Sequence, residues 1–179
     1  LRLDPGALVW CEGGGPVVGL FFDEPIVLGA RELDASHRAF VVDCLREVRA
    51  RLRALGTDLL VWRGDAVSVL DRLHEELGFV GLWSHEETGL WATYQRDIAV
   101  RGWCGRRGVA WREVPQHGVF RPIGGRDGWA RRWRARFTDA PVDEPRDVRG
   151  PEGLGSIDSG EILSASELGV EPTTITDVQ

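Results

Sequence analysis

Three adjacent residues could do chemistry: His85, Glu86 and Glu87, in the stretch SHEETG (84–89). An imidazole beside two carboxylates could hold a metal ion, move a proton or contact a polar ligand. The run follows an apolar stretch, FVGLW (79–83), and leads into a helical pattern. Ligands of open α/β sheets bind at strand carboxyl ends, so the position favours a functional role. The spacing weighs against a metal. Adjacent loop residues rarely aim at one ion, and HEETG lacks the second histidine of HExxH. Acid/base catalysis lacks a nucleophile partner. Two readings stay open: a solvated loop whose carboxylate caps the helix beginning near Trp91, and a loop that contacts a bound ligand.

Other chemistries are excluded more directly. All 22 basic residues are arginine, so no lysine exists for a Walker phosphate loop. CEGGGP (11–16) precedes an apolar run and is no dinucleotide fingerprint. Cys11, Cys44 and Cys104 are far apart with no CxxC, which fits a reduced, cytoplasmic setting and not a zinc ribbon. No apolar run approaches the length of a membrane span. Arg96 and Asp97 are read as a structural helix-surface pair. GGRDGWARRWRAR (124–136) is the most basic segment; it is expected to form a short helix with Trp129 and Trp133 inward and its arginines outward. Such Trp–Arg alternation can also bind nucleic acid.

The elements that must position SHEETG follow from periodicity. PVVGLFF (16–22), DLLVW (58–62), FVGLW (79–83) and VAWREV (109–114) read as strands. The first three are nearly continuous in apolar character, as in a parallel sheet covered on both faces. Trp62, Trp83 and Trp111 are expected in the core. Between the strands lie helices. In 36–55, Val41, Leu45, Val48, Leu52 and Leu55 form one stripe, with Ser36 as N-cap and Gly56 past the end. In 65–77, Ala66, Leu70, Leu73 and Leu77 repeat it, between Asp65 and Gly78. A third helix is expected over about 90–107, with Tyr94 and Ile98 inward and Gly108 closing it. Strand–helix alternation implies right-handed βαβ units and the α/β class.

The charge is uneven. Residues 138–179 hold ten acids and two arginines, while the whole chain carries −6. The expected division is an α/β domain over 1–137 and an acidic linker or tail over 138–179, with a short helix near ILSASEL (162–168). With no methionine present, Leu1 is expected to follow an upstream segment.

At this point the sequence resembles a known family. Residues 36–78, with their long helix, "LG", apolar strand, RGD and second helix ending in ELG, look like the N-terminal half of DNA photolyases and cryptochromes. Trp83–Asp97 looks like the family's next strand, loop and helix, ending in its Arg-Asp pair. LRLDPGAL (1–8) resembles the family's DLRLxDNPAL, and EILSASELG (161–169) resembles the linker before the flavin domain. The order and spacing of these pieces carry the resemblance, since RGD or ELG alone would be noise.

The resemblance implies a Rossmann-like antenna domain of five parallel strands in order 3-2-1-4-5. Strand 1, central in that order, would precede LRLD and is missing from this chain. Its neighbours, 16–22 and 79–83, would then either close up or leave the domain short of independent stability. An antenna chromophore of folate, deazaflavin or flavin type is implied near Glu86, Glu87 and Thr88. Many members have Tyr-Glu-Pro here, and a gapless match sets Thr88 at that Glu. FAD, and DNA contact through it, belong to a C-terminal domain absent from 1–179. The implied parent performs blue-light-driven repair of pyrimidine dimers as a lyase, and the chain alone is not expected to repair DNA. No residue of it is assigned a catalytic role, and neither a metal nor a membrane is implied. A cryptochrome-like photoreceptor module, a non-functional gene fragment, or a generic nucleotide-binding module are the alternatives.

Overall fold

The protein is described by a computed structural model covering residues 15–28, 35–115, 127–138, 145–146 and 148–163. The chain order is β1 (Gly19–Asp23), α1 (Pro25–Leu28), α2 (Ala35–Ala54), β2 (Leu59–Arg63), α3 (Ala66–Leu77), β3 (Gly81–His85), α4 (Trp91–Arg107), β4 (Ala110–Val114) and α5 (Trp129–Phe137). The α/β class holds. The expected helix near 162–168 lies largely outside the described residues.

The strands form two parallel pairs. β1 pairs with β2 in the register Gly19↔Leu59 to Asp23↔Arg63, and β3 pairs with β4 from Gly81↔Ala110 to His85↔Val114. They stand where the expected order 3-2-1-4-5 has its outer pairs. The pairs do not close on one another: among the described residues, β1 and β3 share no ladder.

Alternation along β1 and β2 builds three layers. Phe21, Leu59 and Val61 face α2 and meet Leu45, Val48 and Leu52. Leu20, Phe22, Leu60 and Trp62 face the other way, toward Val69 and Leu73 of α3. Leu20 and Phe22 also join Leu82 and Trp111 from the second pair in a core with Ala66, Leu70, Val100, Trp103 and Cys104. That shared core, under α3 and α4, is what holds the two pairs together. Trp103 Nε1 pins the helices by donating to Asp71 Oδ1 at 2.9 Å.

Helix ends follow local chemistry. Asp65 caps α3 by accepting from Ser68 N at 3.0 Å, and Gly78 and Gly108 close α3 and α4 in the left-handed conformation. Several expectations are corrected. α2 already includes Ala35, so Ser36 lies inside its first turn and not at its N-cap. Its inner stripe opens at Val42, while Val41 faces solvent. α4 buries Thr93, Val100, Trp103 and Cys104, whereas Tyr94 and Ile98 are exposed with Trp91. The reason is that α3 packs along the other side of the helix. On α5, Trp129 and Trp133 are 41% and 39% exposed, so they do not face inward.

Residues 148–163 return as a strap along the outer edge of β2. Val61 N donates to Ser159 O at 2.8 Å, and Trp62 Nε1 to Asp158 O at 2.6 Å. Arg49 of α2 clamps it, donating to Leu59 O, Gly160 O and Ser159 O at 2.9, 2.9 and 2.6 Å. Gly160 has φ +71°, and a Cβ there would collide with the Val61 carbonyl. No helix among the described residues is long and apolar enough to cross a membrane.

Candidate functional site at the carboxyl rim of β3

β3 runs two residues further than the apolar pattern suggests, so Ser84 and His85 belong to the strand. Ser84 Oγ accepts from Trp111 Nε1 at 3.1 Å. Glu86 N donates to Val114 O at 3.0 Å, extending the ladder to β4 by one residue. His85 Nδ1 lies 3.3 Å from the same carbonyl. The histidine is thus turned to the strand ladder and does not converge with the carboxylates. Among the described residues, no three His, Cys, Asp or Glu side chains come together as a metal site requires.

The loop proper spans residues 86–90. Glu87 Oε1 accepts from Gly89 N at 2.6 Å, bending the loop back on itself. The expected carboxylate cap on α4 is not made: Leu90 is the N-cap residue and supplies no side-chain bond. The buried Thr93 hydroxyl instead donates to Leu90 O at 2.8 Å. Glu86 and Thr88 are half-buried at the rim.

Behind the loop sits a charged joint. Arg96 donates through Nε and Nη2 to Asp97 Oδ1 at 3.0 and 2.9 Å. Its Nη1 reaches Glu24 Oε2, just past β1, at 3.2 Å. Glu24 is only 4% exposed, and its Oε1 accepts from Ala66 N, at the start of α3, at 3.2 Å. One guanidinium therefore links α4 to β1, and the Glu24 carboxylate carries that link to α3. Burial works against the Arg96 cation, but Asp97 and Glu24 outweigh it and raise its pKa. Burial pushes the Asp97 carboxyl up beyond what Arg96 offsets, with Glu113 and Glu87 adding to the rise.

The Arg96–Asp97 pair was legible in the sequence; Glu24 was not singled out. Its signal was an acid directly after an apolar strand, in FFDEP (21–25). Arg49 was not singled out either.

A pigment at this rim can be tested against the groups present. The loop offers the Glu86 carboxylate and the Thr88 hydroxyl, a set suited to the amide and amine edge of a heteroaromatic ring. The indole N–H of Trp83 is buried without a hydrogen-bond partner, but its ring lies back over Gly81, away from the loop. Two clefts are described elsewhere. One of about 630 Å³ lies between α2 and the strap. The other, of about 440 Å³, lies at the carboxyl end of β2 beside Ser68 and Arg72. Neither is lined by residues 86–90.

Comparison with known proteins matches this architecture to one family. Residues 4–126 match the DNA photolyase family model. The chain is 32% identical over 174 residues to the deoxyribodipyrimidine photo-lyase of Halobacterium salinarum, covering 88% of this chain and 35% of that protein. It is 34% identical over 96 residues to Cryptochrome-1 of Anopheles gambiae, covering 53% of this chain and 17% of that one. The fold resembles a class III photolyase from Agrobacterium tumefaciens, with TM-score 0.66 and 21% identity over 90% of this chain and 34% of that one. It also resembles the Sulfolobus tokodaii photolyase, with TM-score 0.57 and 20% identity over 83% and 33%. The chain spans about a third of the length of the curated photolyases it matches. The family match covers the four described strands, the β3 loop and the Arg96–Asp97 helix; the chain belongs to the DNA photolyase family.

Proposed function

We propose that this chain forms the light-collecting α/β part of a photolyase-type protein, with an antenna pigment contacted by Glu86, Glu87 and Thr88. The observation that supports the reading is a half-buried loop at a parallel strand's carboxyl end, in a chain of this family. The Sulfolobus tokodaii relative is described as holding two FAD molecules, with a novel light-harvesting cofactor implied. A pigment bound here would supply light absorption. The protein's own part is to present the Glu86 and Thr88 oxygens, to hold the loop through Glu87 and Gly89, and to fix α4 behind it through Arg96. Flavin binding and DNA repair would lie with the remaining two thirds of a protein of the relatives' length. The purified chain, offered folate, deazaflavin and flavin pigments in turn, is expected to shift the absorption of one of them. Glu86→Gln should weaken that binding about tenfold, the loss of one charged hydrogen bond. Failure of all three pigments to bind would overturn the pigment role. Supplied with FAD under blue light, the chain should show no turnover of cyclobutane dimers.

The match to Cryptochrome-1 favours a second reading, in which the domain serves a photoreceptor as an interaction module. Pigment binding without any repair by the longer protein would select it.

A further inference from the structure

We propose that the solvent face of α4 is a self-association surface, on which a second copy of this chain packs antiparallel across a two-fold axis at Ile98. α4 turns Thr93, Val100, Trp103 and Cys104 to the core. Its opposite side carries Trp91, Tyr94 and Ile98, exposed by 73%, 42% and 46%. At the helical pitch these three fall in one narrow stripe with Gly102 and Gly105. Arg96, Asp97 and Arg101 lie outside the stripe, so it holds no charge. A surface helix ordinarily turns polar residues to this side. The glycines also need a reason. Both are exposed in the helix interior, where glycine is among the poorest helix formers. A Cβ at Gly105 would meet nothing within 4 Å, and one at Gly102 would meet only the tip of Arg106 at 3.4 Å. The chain's own packing therefore asks for neither glycine, whereas a second molecule approaching the stripe closely would ask for both.

The spacing names the occupant. Trp91 and Gly105 stand seven residues either side of Ile98, and Tyr94 and Gly102 stand four either side. In an antiparallel pair centred on Ile98, the ring half of each copy meets the glycine half of the other, and Ile98 meets itself. A two-fold interface must be self-complementary in this way. A lipid surface or an unrelated apolar groove would use the rings but not the matched glycines. Electrostatics agree, since antiparallel helices set opposite dipole ends side by side. Arg106, beside Gly102, comes to the Trp91 end of the other copy, where a guanidinium can lie on an indole face. The three apolar side chains expose roughly 350 Å² per copy. With its flanks the stripe would bury on the order of 1,000 Å² in total, the low end for a specific contact. The dimer is accordingly weak, with Kd on the order of 10–100 μM.

The test is sedimentation velocity on the whole 179-residue chain, from about 1 to about 500 μM, which should show a monomer passing into a dimer. Trp91→Ala with Tyr94→Ala should weaken the dimer at least about tenfold. Phe40→Ala, which removes an exposed ring from α2, should leave it within about twofold. Gly102→Leu with Gly105→Leu separates fitted packing from mere stickiness. It favours the helix and enlarges the apolar face, yet should weaken the dimer at least about tenfold by filling the space for the rings. Circular dichroism confirms that each variant is folded. The axis is checked with Ile98→Cys, in a chain whose Cys11 and Cys44 are changed to serine and whose Cys104 is buried. Copper–phenanthroline oxidation should link this variant into a covalent dimer and leave Phe40→Cys in the same background monomeric. The proposal is overturned if the unaltered chain stays monomeric to about 500 μM, whatever else then covers the face. It is also overturned if the leucine variant associates more tightly, or if the two cysteine variants crosslink equally. No readout involves a pigment, so the result stands apart from the fate of the pigment role.

Discussion

β2 and β3 are parallel strands of equal length, yet their surroundings differ. β2, LLVWR, is buried at every position but the last. β3, GLWSH, is half-exposed throughout. Composition alone does not explain this. β2 has β1 on one edge, the strap on the other, and helices over both faces. β3 has β4 on one edge, and its described core contacts lie on the side of α3 and α4. The turns after the strands differ in the same sense. The turn after β2 is two residues long, and Asp65 caps the next helix. The loop after β3 has five residues and no side-chain cap. A sheet can thus devote one half to rigidity and leave the other half open at its rim.

The largest test of that difference is truncation. Leu60→Ala in β2 should cost about 4 kcal/mol, because the fully buried side chain leaves a cavity, whereas Leu82→Ala in β3 should cost about 1–2 kcal/mol. Chemical denaturation measures both, and equal losses would break the comparison. Next is the joint between the halves. Glu24→Ala should cost about 3 kcal/mol, at the low end for breaking a buried pair because Arg96 keeps Asp97. It should also increase hydrogen exchange at the start of α3, where Ala66 N loses its acceptor. The caps come third. Asp65→Ala should cost about 1 kcal/mol, while Glu87→Ala should cost less than about 0.5 kcal/mol, since Glu87 caps no helix.

The smallest effect is in pH. Bonds from Ser68 hold Asp65 below the usual carboxylate range. Asp58 is also held low; burial opposes this but is outweighed by Arg53, the Leu59 amide and Arg49. Their stabilisation is present above the ordinary aspartate value of about 3.9 and is lost as pH falls through their depressed values. Asp97 has the opposite sign. Its raised native value means the folded state takes up that proton first, so its contribution favours folding increasingly as pH falls toward about 3.9. Denaturant melts across this range should show Asp97→Asn removing the second trend and leaving the first.

Much of the framework was legible. Strands near 58–62 and 109–114, the stripe Ala66–Leu70–Leu73–Leu77, the Asp65 cap and the closing glycines are local signals, and local physics decides them. α4 was misread because it carries apolar residues on two sides. Periodicity finds Tyr94 and Ile98 as readily as Val100 and Cys104, and only the position of α3 chooses between them. On α5 the expectation of inward tryptophans came from their spacing alone, and both are in fact partly exposed. At the site, the His85–Glu86–Glu87 run lies at the end of β3, and its side chains take separate partners. The strand's actual end turns His85 toward Val114, and Glu87 closes on Gly89. Glu24 and Arg49 escaped notice because their partners are remote in sequence, and several of those partners are backbone groups.

The Arg49 clamp carries a consequence for sequence drift. It grips three carbonyl oxygens, which every amino acid possesses. The grip itself thus asks nothing of the side chains at Ser159 and Gly160, although Asp158 favours the Arg49 cation and accepts from Gly160 N, and Gly160 is held to glycine by the strap's path. A substitution at 159 that keeps the backbone path would leave these three bonds in place, so the anchor tolerates more change at that position than a side-chain contact would.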